Sequence, residues 1–354
     1  MKYSDYFALY SKKLDKFLDR FFALEIKKSS KITSIGPDMW QKFGKFISGG
    51  KRIRGGLVKL GYECFKKATD KNILPASAAI EIIHGAMLIH DDIIDQSILR
   101  HNIPTIHKQY ETSHQNHHQK GNSSHYGEGM AIVAGIIGYF GAIELFNKSA
   151  VNPNLKTKAF NQLTSFVINT GYGEALDVDL TCRLKIIKND VLKVHTYKTS
   201  YYTFIGPLKI GGALAGAEEN QLKKFEAYGI PIGIAYQLQD DILGIFGTEE
   251  KLGKPIGDDI KEGKNTLLYT QVIKNGNSQQ KKRLESLWGK KNINLKEIEE
   301  ARTIIRKTGS LAYSQNLACQ LVEKGKKAIP KITKNKNLQE VFLGLADFIT
   351  EREK

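Results

Sequence analysis

The sequence is poor in cysteine and proline. Only three of its 354 residues are cysteine (Cys64, Cys182 and Cys319), an odd number at wide spacings. This usage excludes a disulfide-rich scaffold and predicts reduced packing residues in a cytoplasmic protein. The eight prolines lie mostly at the ends of segments with helical spacing, and no stretch alternates polar and apolar residues long enough to predict a strand. We therefore expect an all-α fold.

We expect neither a signal peptide nor a membrane-spanning apolar run. Charged residues occur from Lys2 onwards, which is not the pattern of a signal peptide. The longest apolar run, residues 131–146, contains Glu144 and is shorter than the roughly 20 residues that cross a bilayer. We expect no membrane span, and at most a loose association with a membrane surface.

Positive charge is in excess. Lysine and arginine number 53 against 37 aspartates and glutamates, a net charge of +16. This balance fits anionic ligands, nucleic acid or an acidic membrane surface. No zinc-finger pattern, aromatic RNA-binding motif or basic segment followed by heptads is present, so we expect no nucleic-acid partner. Since no break in composition marks a boundary, we expect one domain over residues 1–354.

An apolar segment, residues 80–95, ends in three acids. Asp91, Asp92 and Asp95 would fall within about a third of the circumference of a helix. Carboxylates so close together repel each other, and buried acids are usually paired or bound to metal. A solvated helix end would explain a lone acidic triplet equally well.

A second apolar segment, residues 234–246, carries Asp240 and Asp241, and Asp258 and Asp259 follow. If the two acidic helices faced each other, they would line a cavity with carboxylates. Such a site suits Mg²⁺, which binds through a few carboxylates, waters and substrate phosphates. We expect several Mg²⁺ ions in the site, and Mn²⁺ is the alternative metal. The sequence therefore predicts a phosphorylated ligand held through metal.

Four other segments each allow two interpretations. Residues 49–54 place glycines and cations at a helix start, which is either an anion site or an ordinary basic helix start. Residues 197–204 hold small hydroxyls in a helix interior, either bonded back to the helix or facing a cavity. Residues 253–266 form either a closing flap or a solvated connection. Residues 101–129 are rich in histidine and are predicted to be a polar loop insertion rather than a metal site.

Taken in order, five of these segments resemble motifs of the trans-isoprenyl (polyprenyl) diphosphate synthase family, and the chain looks geranylgeranyl-diphosphate-synthase-like. Residues 49–54 resemble the family's GGKRxR, 91–95 its DDxxD and 99–107 its RRGxPTxH. Residues 197–204 resemble its YKT helix, and 239–266 its second acidic motif with the following GKxxGxDxxEGKxT. One such motif would be weak evidence for the family, whereas five motifs in the same order are strong evidence.

The resemblance implies a helical bundle around a deep central cavity, usually in a homodimer, and a Mg²⁺-dependent prenyltransferase. The implied metal residues are Asp91, Asp95 and Asp240, with Asp92 and Asp241 supporting. The implied ligands of isopentenyl diphosphate are Lys51, Arg54 and His84. The implied ligands of an allylic prenyl diphosphate are Arg100, Lys198 and Lys254, and Lys264 is a further predicted substrate-binding residue. The implied catalytic residues are Lys198, Thr199 and Gln237. Of these, Thr199 and Gln237 would stabilise the allylic cation that forms when the diphosphate leaves.

The chain departs from the family pattern at three positions. His101 stands where a second arginine for isopentenyl diphosphate is usual, Gly244 replaces the third aspartate of the second motif, and Ile136 replaces a common aspartate. Ala86 and Met87, one turn before Asp91, are smaller than the aromatic pair of farnesyl synthases. We expect a product longer than fifteen carbons, geranylgeranyl or somewhat longer.

Other functions fit less of the sequence. A terpene cyclase would keep the acidic motifs. It needs no second diphosphate site, however, and the sequence offers one in Lys51, Arg54 and His84. A non-catalytic regulatory partner subunit is supported only by the three departures. A basic helical nucleic-acid binder would leave all five motifs unexplained.

Overall fold

The computed structural model describes most of the chain. The described residues are 2–67, 70–100, 102–117, 120–183, 185–247 and 257–351. Nearly all of them are helical, and the described residues hold a single two-stranded hairpin. The predicted all-α class is confirmed.

The first half of the chain forms long helices and one short hairpin. The helices are α1 (Tyr3–Ser29), α2 (Ile35–Phe46), α3 (Ile53–Glu63), α4 (Asp70–Ile94), α5 (Ile106–His117) and α6 (Ser123–Phe146). Strands β1 (Leu99–Arg100) and β2 (Ile103–Pro104) pair antiparallel between α4 and α5.

The second half is also helical and includes a π-helix. Its first elements are α7 (Pro153–Thr181), α8 (Lys188–Val194), the π-helix (His195–Ile205), α9 (Gly206–Leu214), α10 (Glu219–Leu222) and α11 (Lys224–Phe246). Its later elements are α12 (Asp258–Glu262), α13 (Leu267–Asn275), α14 (Ser278–Leu287), α15 (Leu295–Lys307), α16 (Ser310–Lys326), α17 (Ile329–Ile332) and α18 (Lys336–Glu351).

The described residues cluster into two compact units. The first unit takes in those of 4–159 and 210–216, and the second takes in those of 1–3, 160–209 and 217–354. The prediction of one domain over residues 1–354 stays a prediction.

In the first unit, α4 is the core helix and packs against α3 and α6. Small residues let α6 approach closely. A Cβ added at Gly135 would lie 2.2 Å from Nε2 of His90, and one at Gly138 would lie 2.5 Å from the ring of Phe43. Because side chains at these two glycines would collide with α4 and α2, the glycines set the spacing of the helices that carry the first acidic motif.

The prediction of a polar loop over residues 101–129 is wrong. Most of this stretch is helix, since it contains all of α5 and the start of α6. The buried side chains of α5 are Ile106, His107, Tyr110 and His114, at helical spacing, and α5 packs against α6. Two of these four buried positions are occupied by histidine. Because histidine is a polar residue, the sequence does not show the apolar residues at helical spacing that would predict an amphipathic helix here.

In the second unit, α11 is central and contacts the π-helix, α16 and α18. It comes close to the π-helix at Gly233, where an added Cβ would lie 2.4 Å from the Cα of Ser200. This approach brings side chains of the π-helix to hydrogen-bonding distance from those of α11.

Within the part of the chain that the structure describes, two helices are long and apolar enough to cross a membrane by length and composition alone. In α4, from Lys71 onwards, 78% of the apolar window is buried inside the protein, as expected of a core helix. In α6 the buried share is 39%, so much of its apolar side lies on the surface of the chain.

Candidate active site

The first acidic motif lies at the C-terminal end of α4, beside an arginine from β1. Asp92 is fully buried, and its Oδ1 accepts a hydrogen bond of 2.8 Å from Nε of Arg100. A terminal nitrogen of the same guanidinium donates to Oδ2 of Asp91 at 3.1 Å. Burial acts to lower the pKa of Arg100, but the hydrogen bond and charge of Asp92, with the charges of Asp91 and Asp95, raise it. Arg100 therefore holds two of the three carboxylates close together.

One face of α4 collects three of the predicted site residues. His84, Met87 and Asp91 follow each other at spacings of three and four residues and are all partly exposed. Ala86 lies on another face and is fully buried. A Cβ added at Gly138 of α6 would lie 3.2 Å from the Cβ of Ala86. The two predicted length-determining residues therefore have different surroundings.

The basic motif at the start of α3 is held by a buried ion pair that the sequence did not indicate. Arg52 has a left-handed backbone, φ +52°, and its Nε donates to Oδ1 of Asp15 at 2.7 Å. A terminal nitrogen of Arg52 lies 3.8 Å from Oε2 of Glu81 on α4. The other oxygen of Glu81 accepts from the backbone N–H of Gly55 at 2.7 Å. Burial raises the pKa of Glu81, while the Gly55 hydrogen bond and the charge of Arg52 act to lower it.

These contacts separate the three cations of the basic motif into two roles. Arg52 is buried and structural, whereas Lys51 is exposed and Arg54 partly exposed. A signal for Glu81 did exist in the sequence, because it is an acid within an otherwise apolar helix. Its partner could not be read from the sequence, since Gly55 and Glu81 are 26 residues apart.

The second acidic motif is tied to the π-helix. Thr199 Oγ1 donates to Gln237 Oε1 at 2.7 Å, and Gln237 Nε2 donates to Asp241 Oδ1 at 2.9 Å. The second oxygen of Asp241 lies 3.3 Å from Nε2 of His195. The structure therefore brings the predicted residues Thr199, Gln237 and Asp241 together, and adds His195, which the sequence did not indicate. Asp240, next to Asp241, is partly exposed.

Lys198 is held by α7. Its Nζ donates to Glu174 at 2.9 Å and to Asp177 at 2.8 Å. A Cβ added at Gly173 would lie 2.4 Å from the backbone nitrogen of Lys198, so only glycine allows α7 to come this close. Two carboxylates thus fix the ammonium of a predicted diphosphate ligand.

The space of the missing third aspartate is occupied. A Cβ added at Gly244 would lie 2.0 Å from Oδ2 of Asp259. The other oxygen of Asp259 lies 3.7 Å from Nζ of Lys264, and that ammonium also contacts Glu262 at 2.9 Å. The carboxylate of Asp259 therefore stands where a side chain at position 244 would begin.

The oxygen-rich acidic motifs fit a hard cation such as Mg²⁺. No three His, Cys, Asp or Glu side chains among the described residues form a ready-made metal cage. Mg²⁺ usually binds through one or two carboxylates together with waters and substrate phosphates. Within the described residues, the buried Oδ2 of Asp241 lacks an aligned hydrogen bond, as expected where a ligand completes the surroundings of a carboxylate.

Two predicted site residues, Lys254 and His101, lie outside the described residues. Of the other departures from the family pattern, Ile136 is 46% exposed on α6. It belongs to the surface of that helix.

Comparison with known proteins decides the family. The model of the polyprenyl synthetase family matches residues 40–324. The chain belongs to this family. It is 33% identical to the geranylgeranyl diphosphate synthase of Saccharolobus solfataricus, covering 88% of this chain and 89% of that one. It is 31% identical to the geranylgeranyl diphosphate synthase of Methanosarcina mazei, covering 90% and 91%.

A solved structure agrees with these relatives. The geranylgeranyl pyrophosphate synthase of Corynebacterium glutamicum, complexed with isoprenyl diphosphate and magnesium, superposes with a TM-score of 0.92 at 26% identity. The alignment covers 99% of this polyprenyl synthetase and 100% of that chain. The predicted family and the prenyltransferase class are confirmed.

Proposed function

We propose that this polyprenyl synthetase condenses isopentenyl diphosphate with an allylic prenyl diphosphate to make a trans-prenyl diphosphate, geranylgeranyl or somewhat longer. The observation that carries the proposal is the hydrogen bond between Glu81 of α4 and Gly55 of α3. It fixes the start of the basic motif against the helix that holds His84 and Asp91. Lys51, Arg54 and His84 are thereby held in one unit with Asp91 and Arg100, so this unit carries residues suited to both diphosphates of a two-substrate transferase.

A first set of residues binds isopentenyl diphosphate. Lys51 and Arg54 offer cations at a helix start, where backbone N–H groups and the helix dipole also favour an anion. His84 adds a third polar group from α4, and His101 a fourth from a position outside the described residues. These residues hold the nucleophilic substrate with its double bond free to react.

The second set binds the allylic diphosphate. Arg100 and Lys198 exchange part of their carboxylate contacts for diphosphate oxygens, and Lys254 and Lys264 act from the loop that follows α11. Mg²⁺, or Mn²⁺ in its place, would be held by Asp91, Asp95 and Asp240, with Asp92 and Asp241 supporting. When bound, the metal neutralises charge on the departing diphosphate.

The chemistry balances with these groups in place. The allylic C–O bond breaks, and the diphosphate leaves with its electron pair. The double bond of isopentenyl diphosphate then attacks the allylic cation to form the new C–C bond, and the departed diphosphate takes the released proton. Thr199 and Gln237 offer oxygen lone pairs to the developing positive charge, because the hydroxyl hydrogen of Thr199 is donated to Gln237 and the amide N–H of Gln237 is donated to Asp241.

Product length should respond to Met87. Met87→Phe is expected to shorten the main product, because the ring lies on the same face as Asp91, and to change stability little. Ala86→Phe is the matched comparison. It should lower the free energy of unfolding by about 1–3 kcal/mol through overpacking against α6. Chromatographic sizing of the products and urea unfolding measure both effects, and a wild-type product from Met87→Phe would contradict this assignment.

The reaction itself is tested with purified protein, isopentenyl diphosphate, Mg²⁺ and allylic diphosphates of five, ten and fifteen carbons. A prenyl diphosphate longer than fifteen carbons is expected. Folded protein that makes no product with any primer would reject the proposal in favour of the regulatory subunit. A cyclised hydrocarbon made without isopentenyl diphosphate would indicate a terpene cyclase.

We also propose that the protein is a cytoplasmic homodimer. Support comes from an uncharged apolar face on α6 that is exposed in the single chain. It consists of Ile132, Val133, Ile136 and Phe140, which is 68% exposed. Such a face is self-complementary across a two-fold axis. Light scattering should give twice the chain mass, and Phe140→Glu should give the monomer; a wild-type monomer would contradict the proposal.

A further inference from the structure

His195 is a buried histidine to which the proposed function assigns no role. It begins the π-helix, three residues before Lys198, and is only 4% exposed. Its Nε2 lies 3.3 Å from Oδ2 of Asp241, and its Nδ1 has no hydrogen-bond partner within the described residues. An imidazole buried against a carboxylate calls for an explanation, because burying polar groups costs free energy unless they interact.

The ring completes a series of contacts between the π-helix and α11. His195 and Thr199 are four residues apart on the first helix, and Asp241 and Gln237 are four apart on the second. Thr199 meets Gln237 at 2.7 Å, and His195 meets Asp241 at 3.3 Å. Gln237 and Asp241 are also bonded to each other, at 2.9 Å. The four side chains form one network with both oxygens of Asp241 in it.

The network has a defined direction. A carboxylate only accepts hydrogen bonds, so the NH₂ group of Gln237 must face Asp241 and its carbonyl oxygen must face Thr199. Oδ1 of Asp241 is fixed by this bond. Nε2 of His195 lies 3.3 Å from Oδ2, but the two atoms do not form an aligned hydrogen bond. Hydrogen bonds of this kind often tighten only when ligand binds.

We propose that His195 is a positioning residue. By donating from Nε2 to Oδ2, it holds the Asp241 carboxylate, and through it the Gln237 amide, in the orientation that metal-bound diphosphate requires. This inference rests on the proposed function and deepens it. Groups that orient metal-site carboxylates are typically worth about 10–100-fold in metal affinity or activity.

The test compares His195→Leu, which has no donor, with His195→Gln, which places an amide N–H near the position of Nε2. Calorimetry with inorganic pyrophosphate and Mg²⁺ measures binding without turnover, and thermal unfolding measures stability. The leucine variant should bind pyrophosphate about 10–100-fold more weakly in the presence of Mg²⁺ while remaining folded at the temperature of the measurement. The glutamine variant should stay within about threefold of wild type. Thr196→Val, on the same turn, is the control for a general effect on the π-helix.

A double-mutant cycle with Asp241→Asn tests the path of the effect. If His195 acts through Asp241, the leucine substitution should cost nothing further in the Asp241→Asn background. His195→Phe, also without a donor, takes the place of the leucine variant if that does not fold. Equal pyrophosphate binding by wild type and the donor-free variant, or failure of glutamine to restore binding, would overturn the inference alone. Wild type that binds no pyrophosphate with Mg²⁺ and makes no product would reject the proposed function itself.

Discussion

Asp91→Asn is expected to abolish product formation, lowering kcat/KM by about a thousandfold or more. Removing one carboxylate of the proposed metal site should take away several kcal/mol of charge stabilisation for the departing diphosphate, at about 1.4 kcal/mol for each factor of ten. Asparagine keeps the shape of the side chain. The guanidinium of Arg100 also keeps its bond to Asp92, so the helical fold should be retained.

Steady-state turnover with isopentenyl and allylic diphosphates measures this effect, and circular dichroism checks the fold. Asp19→Asn, an exposed acid on α1, makes the same change in net charge and should be silent. Near-normal turnover in Asp91→Asn would reject the metal role of the first acidic motif.

Asp92→Asn should differ from Asp91→Asn and Asp19→Asn. It weakens the contact of a buried carboxylate with Arg100 and should therefore also lower the stability of the fold.

Glu81→Leu should have the largest effect on stability, a loss of about 3–5 kcal/mol, because it breaks a buried ion pair. Arg52, 7% exposed, would keep only its bond to Asp15. The N–H of Gly55 would lose its acceptor. The start of α3, with Lys51 and Arg54, would then no longer be fastened to α4.

Urea unfolding measures the loss. Glu81→Gln separates charge from hydrogen bonding, since the amide oxygen can still accept from Gly55, and it should cost about 1–2 kcal/mol. In Glu81→Gln we also expect weaker binding of isopentenyl diphosphate. Wild-type stability in Glu81→Leu would show that the ion pair does not hold the basic motif in place.

Part of the site could be predicted because it depends on local spacing. Asp91 and Asp95 are four residues apart at the end of α4, where the backbone N–H of Asp95 still donates to the carbonyl of Asp91, so they share a face. The all-α class followed from apolar residues at helical spacing. The segment over α5 was misjudged for a related reason, because His107 and His114 take buried positions that apolar residues usually fill, and this hides the helical period.

Contacts between segments far apart in the sequence cannot be predicted from local spacing. The bond between Gly55 and Glu81 joins residues 26 apart, and Thr199 and Gln237 are 38 apart. Asp259 fills the space beside Gly244, although their separation in sequence gives no sign of it. Each of these contacts follows from how helices pack.

By itself, the sequence determined the helical class, the family motifs and the candidate residues for binding diphosphate and metal, because residue type and helical spacing fix which groups share a face. Tertiary structure alone decided the partners. It separated structural Arg52 from Lys51 and Arg54, placed Ala86 against α6, and set His195 against Asp241. The physical reason is that the orientation and burial of a side chain depend on the neighbouring helix, and the local sequence does not specify that neighbour.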